Sequence, residues 1–255
     1  MTGAWCKRQL RPLRASAGFF LAVFVGCANQ PREAPTCEDT TDFACLRGAF
    51  RTLVGDPVPE IQICPRAVPD VACTETDANG QWQIPGLPRD GDLALFAEHP
   101  DFTPTLFPQA SSMDWYAWFK VAVPPFVLNT HASRLDVELD PTRGHLLFLT
   151  WEGLNLDGID TPNVSDVVAT LEGTDGSLFY GDGLGLASAT ATSTTGSGAG
   201  GALNLAPGVA RIRLEGPGGI CGEQMFHWTV EGDGVIPVPI EAGFVTAIDV
   251  MCPTP

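Results

Sequence analysis

Thr74-Glu75-Thr76-Asp77-Ala78-Asn79-Gly80-Gln81-Trp82-Gln83-Ile84-Pro85-Gly86-Leu87-Pro88 decides the fold, and the chain carries it twice. The second copy is Thr192-Ser193-Thr194-Thr195-Gly196-Ser197-Gly198-Ala199-Gly200-Gly201-Ala202-Leu203-Asn204-Leu205-Ala206-Pro207-Gly208. Thr76 and Thr194, Gly80 and Gly198, and Leu87 and Leu205 fall at a constant offset of 118 residues. Each block reads as a strand, a tight turn needing glycine at positive φ, a second strand, and a Pro/Gly corner. Asn79-Gly80 is a strong hairpin signal, because both residues tolerate the left-handed backbone of a two-residue turn.

Working outward, apolar residues alternate with polar ones in short runs. Ile61 and Ile63 do so, as do Leu135, Val137 and Leu139, then Phe226, Trp228 and Val230, then Phe244, Thr246, Ile248 and Val250. Period-2 runs broken at short intervals by Gly, Pro and Asp predict an all-β protein, and no long stretch has helical periodicity. The expected architecture is two small antiparallel β-sandwich domains, over 45–108 and 144–254. A connecting segment, 109–143, carries an aromatic cluster and room for one short helix.

The first of these domains resembles the carboxypeptidase regulatory-like domain, a transthyretin (prealbumin-like) β-sandwich. The resemblance rests on Gly48-Ala49-Phe50 through Gly55-Asp56-Pro57-Val58-Pro59, on Ile61-Gln62-Ile63, and on Thr76 to Pro88 followed by Leu93-Ala94-Leu95. The second domain carries the signature only weakly, around Gly198 to Gly208. What the resemblance implies is the fold; such domains serve as accessory modules in carbohydrate-active, transport and surface proteins. Fold alone does not name an activity.

The first 26 residues carry Lys7, Arg8, Arg11 and Arg14 and no acid, and they end in an apolar run from Ala15 to Gly26. That is the pattern of a secretory signal peptide, and the run is too short to span a bilayer, which takes about 20 residues. Phe24-Val25-Gly26-Cys27 resembles a bacterial lipobox, with Phe24 where Leu is usual. The resemblance implies cleavage before Cys27, diacylglycerol on its thiol and an acyl chain such as palmitate on its freed amine. Several chains on one residue satisfy the need for more than one anchoring signal. Ala28 stands where an inner-membrane retention signal would place Asp, so the expected address is the cell envelope, at the outer membrane. Residues 27–44 are polar and aperiodic and read as the lipid-anchored linker.

Cleavage removes 26 of the 255 residues and four of the 14 bases, leaving ten bases against 30 acids, formally −20. Such a surface repels phosphate backbones, which argues against nucleic acid as a partner. Six cysteines remain besides the lipidated one: Cys37, Cys45, Cys64, Cys73, Cys221 and Cys252. An even number in an exported chain reads as disulfides. Sequence proximity suggests Cys37–Cys45, Cys64–Cys73 and Cys221–Cys252 among the 15 pairings that six cysteines permit.

Motifs for chemistry are sparse. Gly196-x-Gly198-x-x-Gly201 matches a dinucleotide fingerprint in letters only, because a β-like run rather than a helix follows it. Ser177 and Ser197 lack the flanking glycines of a nucleophile elbow. His99, His131, His145 and His227 lie far apart and read as surface or strand histidines, not metal ligands. No catalytic residue, cofactor or firm metal site is expected. The oxygen-rich loop with Asp157, Asp160 and Asp166 is a calcium candidate set against a solvated turn. Trp115, Tyr116, Trp118 and Phe119 form the densest aromatic cluster. In a helical turn Trp115, Trp118 and Phe119 share a face, as a plug between the sandwiches, as a contact for a glycan or envelope protein, or as an insertion into the nearby membrane. The functional expectation is a non-catalytic, lipid-anchored binding or assembly module, with a structural spacer, or a small hydrolase with an unrecognised site, as the rival readings.

Overall fold

The computed structural model describes residues 43–89, 91–110, 120–152, 162–222 and 230–253. The N-terminal unit pairs β1 (Phe43–Arg51) with β4 (Gln81–Pro88) antiparallel and with β7 (Lys120–Val121) parallel. Its second sheet runs β3 (Thr74–Glu75), β2 (Gln62–Pro65), β5 (Asp92–Glu98), β6 (Thr105–Ala110). The C-terminal unit repeats this plan. There β8 (Gly144–Glu152) pairs antiparallel with β12 (Ala199–Leu205) and parallel with β16 (Val245–Cys252). Beyond β12 lie β10 (Ser177–Gly181) and β11 (Ala187–Ser188), and opposite them β13 (Gly208–Gly216) lies between β9 (Val168–Glu172) and β15 (Val235–Ile240). The short β14 (Gly219–Ile220) folds back on β13.

The protein is all-β, as the alternation requires, but its pairing is not purely antiparallel. β16 lies parallel to β8 over its whole length, Val245 opposite His145 through Cys252 opposite Glu152. Its other edge takes β6 of the N-terminal unit, Val245 opposite Thr105 and Thr246 opposite Leu106, also parallel. One nine-stranded sheet therefore crosses both units, in the order β11-β10-β12-β8-β16-β6-β5-β2-β3. Side chains reinforce the seam. Arg66 meets Glu241 at 2.7 Å and Lys120 meets Asp249 at 2.7 Å. The rings of Phe96 and Phe244 meet edge to face, 6.5 Å between centroids.

Each unit has its own core, set by the inward-facing positions of its strands. The N-terminal core gathers Leu46, Phe50, Ile63, Trp82, Ile84, Leu87, Leu95 and Phe107. The Phe107 ring lies 5.8 Å from Phe50 and 6.1 Å from Trp82, so the quoted block contributes one of its largest side chains. The C-terminal core gathers Leu146, Phe148, Leu205, Ile212, Leu214, Ile236, Ile248 and Val250. On β16 the alternation reads through: Ile248, Val250 and Cys252 are buried while Ala247, Asp249 and Met251 are half-buried.

The expected strand over Leu135, Val137 and Leu139 does not form. Leu135 ends a helix, α1 (Pro125–Leu135), the only α-helix among the described residues. Pro124 and Pro125 start it, where a missing N–H costs nothing. Asp136 ends it in the left-handed conformation at φ 54°, and the Val137 N–H then donates back to the Ala132 carbonyl. The alternating letters overlapped a helical stripe, Leu128, His131, Ala132 and Leu135, which faces an apolar patch made by Phe179, Ala187, Leu203 and Val245. No helix among the described residues is long and apolar enough to cross a membrane.

Candidate functional site

The repeated block builds the same backbone clamp in both units. The Thr76 hydroxyl donates to the Val58 carbonyl at 2.8 Å and accepts the Ile61 N–H at 2.9 Å. The Thr194 hydroxyl donates to the Val164 carbonyl at 2.9 Å and accepts the Val167 N–H at 3.0 Å. In each case the threonine's own N–H and carbonyl hold the same loop: Thr76 with Ile61 and Glu60, Thr194 with Val167 and Asp166. Glu60 and Asp166 sit at equivalent points, both at φ 61°. Glycine is required next door. Gly80 and Gly198 have φ of 72° and 62°, and a Cβ there would strike the carbonyl oxygens of Phe50 and Thr150 respectively. β12 follows Gly198 directly, so the Gly196-x-Gly198-x-x-Gly201 stretch is a turn into a strand and cannot offer a helix N-terminus to a dinucleotide.

Asp166 thus serves a turn: its N–H donates to the Thr194 carbonyl, and its carboxylate accepts the Ser165 hydroxyl at 3.1 Å. Its companions in the calcium reading, Asp157 and Asp160, lie outside the described residues, as do Cys27, Cys37 and the aromatic cluster Trp115, Tyr116, Trp118 and Phe119. Two expected disulfides are present, Cys64–Cys73 and Cys221–Cys252. The first extends the β2–β3 ladder by one step, since Gln62 faces Glu75 and Ile63 faces Thr74. The second fastens the loop after β14 to the last residue of β16, beside the hydrogen bond from the Gly222 N–H to the Met251 carbonyl. Cys45, buried in β1, is also disulfide-bonded.

Two histidines read as surface or strand residues are buried, and one of them is helical. His145 on β8 is 5% exposed, and its Nδ1 accepts the Asn204 N–H at 3.2 Å. Burial holds its imidazole below the ordinary value. His131 on α1 is 4% exposed; its Nδ1 accepts the Ala187 N–H at 3.0 Å, and its ring stacks on Phe179 with centroids 4.8 Å apart. Burial, then the nearby Arg134 charge, push its pKa down against the opposing pull of Asp182. Arg134 donates to the Ala187 carbonyl at 3.0 Å and to Asp182 at 2.6 Å. Burial acts to raise the Asp182 pKa, but hydrogen bonds from Arg134 and from the Leu184 and Leu186 amides outweigh it and hold the carboxyl below its usual range. The helical spacing of Leu128, His131, Ala132 and Leu135 was the signal that could have revealed this cluster.

Concavity among the described residues is shallow. A cleft of about 550 Å³ at one end of the C-terminal unit is lined by Arg143, Leu171, Asp175, Ser177 and Asn204 among others. Asn204 is already committed there, accepting the Asp140 N–H and donating to the Glu138 carbonyl. A second, of about 360 Å³, lies between the Asp70–Thr74 stretch and β4, beside Gln83, Pro85 and Gly86. No group of three or more His, Cys, Asp or Glu residues able to hold a metal occurs among the described residues.

No family model and no curated protein matches the chain. Among solved structures it is similar to the Bacillus anthracis TIE protein, at 9% identity and TM-score 0.29, over 82% of this chain and 34% of that one. A streptococcal ancillary pilin matches at 10% identity and TM-score 0.24, over 84% of this chain and 63% of the pilin. The shaft pilin SpaA of Lactobacillus rhamnosus GG matches at 10% identity and TM-score 0.22, over 82% of this chain and 98% of the pilin. The chain thus spans about a third of the first of these structures. Its all-β class rests on its own strands.

Proposed function

We propose that the protein is a non-catalytic, lipid-anchored assembly module of the cell envelope, tethered through Cys27 with its two sandwiches acting as one piece. The observation that carries this reading is β16. By hydrogen bonding to β8 on one edge and β6 on the other, it joins the units through a sheet rather than a loose linker. A continuous sheet transmits force and orientation between units, which suits assembly; independent binding domains more often sit on mobile linkers. The repeated clamp at Thr76 and Thr194 supports extending the regulatory-like sandwich resemblance to the second unit. The open cleft beside Arg143, where the Asn204 side chain is already hydrogen-bonded within the protein, favours contact with a macromolecule, an envelope protein or a glycan chain, over a small substrate.

The test has two arms. Wild type should partition with membranes and yield an acylated Cys27 as its N-terminus by mass spectrometry, whereas Cys27→Ser should appear in the soluble fraction. Affinity capture from detergent-solubilised envelope should then recover a defined partner or glycan. An unmodified Cys27 thiol removes the anchor from the proposal, and capture of nothing leaves a spacer in place of an assembly module.

A further inference from the structure

We propose that His131 is a proton-operated latch that holds α1 on the C-terminal unit and lets go in mild acid. Ala187 is gripped from both sides of its backbone. Its carbonyl accepts from Arg134, and its N–H donates to His131 Nδ1, so both bonds run from α1 to β11. Nδ1 accepts only while the imidazole is neutral, with its one proton on Nε2. A second proton, on Nδ1, would turn the acceptor into a donor facing a donor, and the bond must break.

The surroundings offset that proton only through Asp182, whose pull burial and Arg134 outweigh. The charged groups facing His131 are Arg134 from its own helix and Asp182 from the turn after β10. Asp182 is already engaged by Arg134 and by the Leu184 and Leu186 amides. β10 presents Phe179 and β11 presents Ala187, while β12 and β16 bring Leu203 and Val245 to the same cluster, none of them charged. An imidazolium there would be stacked, buried and next to a guanidinium. The sign follows. Closure lowers the proton affinity of His131, so the latch contributes fully above the ordinary imidazole value of about 6.5 and is lost as pH falls through and below it.

His145 does not work the same way. Its bond joins β8 to β12, strands that are already paired in one sheet, so its protonation strains the sheet without freeing an element. α1 has no such ladder: apolar contact, the two bonds to Ala187 and the Arg134–Asp182 ion pair fasten it. Its release uncovers Leu203 and Val245, and Val245 pairs with Thr105 across the seam, so the latch lies beside the joint between the units.

Amide exchange of the mature wild-type protein, corrected for intrinsic rates, should be compared at about pH 7.5 and about pH 5. Alongside it, the imidazole of His131 should be titrated by NMR. Protection over 127–135 and at 187 should fall by about tenfold for each pH unit by which closure lowers the imidazole's proton affinity. The strands of the N-terminal unit should change far less. His131→Gln, which keeps an acceptor that does not titrate, should abolish the dependence. His131 titrating at or above the ordinary value in wild type would overturn the latch, as would α1 losing no more protection than the strands.

Discussion

Thr76→Val keeps the side chain's shape and removes only the hydroxyl, which isolates what the clamp contributes. The hydroxyl makes two bonds, donating to Val58 and accepting from Ile61, and Thr76 is 4% exposed. Its loss leaves the N–H of Ile61, a residue 2% exposed, without its acceptor. Orphaning that donor costs about 1–3 kcal/mol and losing the bond to the Val58 carbonyl about 1 kcal/mol net, so the change should cost about 2–4 kcal/mol. For a protein of this size that lowers Tm by roughly 4–16 °C. Thr194→Val removes the same pair of bonds, to Val164 and Val167, at 2% exposure, and should cost as much. Urea titration followed by circular dichroism measures both, with the exposed Thr192→Val as control, expected within about 0.5 kcal/mol of wild type. Because β16 pairs with both units, the two variants should move one common transition. A loss below about 0.5 kcal/mol at either threonine would refute the clamp; two separate transitions would refute the shared sheet.

The glycine beside each clamp gives a second test. Gly198→Ala, at φ 62° with Thr150 oxygen 2.7 Å from the new Cβ, should lose more than about 1 kcal/mol in thermal melts. Gly183→Ala, with open space around it, should stay within about 0.5 kcal/mol. Replacing Cys221 and Cys252 with Ser should cost about 4 kcal/mol, against about 3 kcal/mol for Cys64 and Cys73, because their separations are 31 and 9 residues. Equal losses in denaturant would contradict that ranking. A double-mutant cycle on Lys120→Met and Asp249→Asn should give a coupling of only about 1 kcal/mol, since Asp249 is partly exposed to screening solvent.

The hairpin, the turn glycines and the paired threonines were legible in the sequence because their causes are local. Asn79-Gly80 can make its turn with no help from the rest of the chain, and the offset of 118 residues announces a second copy. Cys64–Cys73 was legible for the same reason, since Cys64 lies in β2 and Cys73 immediately before β3, one step beyond their short ladder. Leu135, Val137 and Leu139 misled because a helix end and the segment after it produced a period-2 pattern by coincidence. The competing stripe through His131 contained a polar residue, which masked it. A histidine's letter carries no burial, so neither His131 nor His145 could be placed until α1 and β8 were packed. Most of all, the alternation along β16 showed which of its faces is buried and nothing about its neighbours. Side-chain period is a property of one strand, whereas edge pairing depends on backbone groups identical in every residue. The sequence determined two similar β units and their turns; only the tertiary structure decided that the last strand of one would be shared with the other.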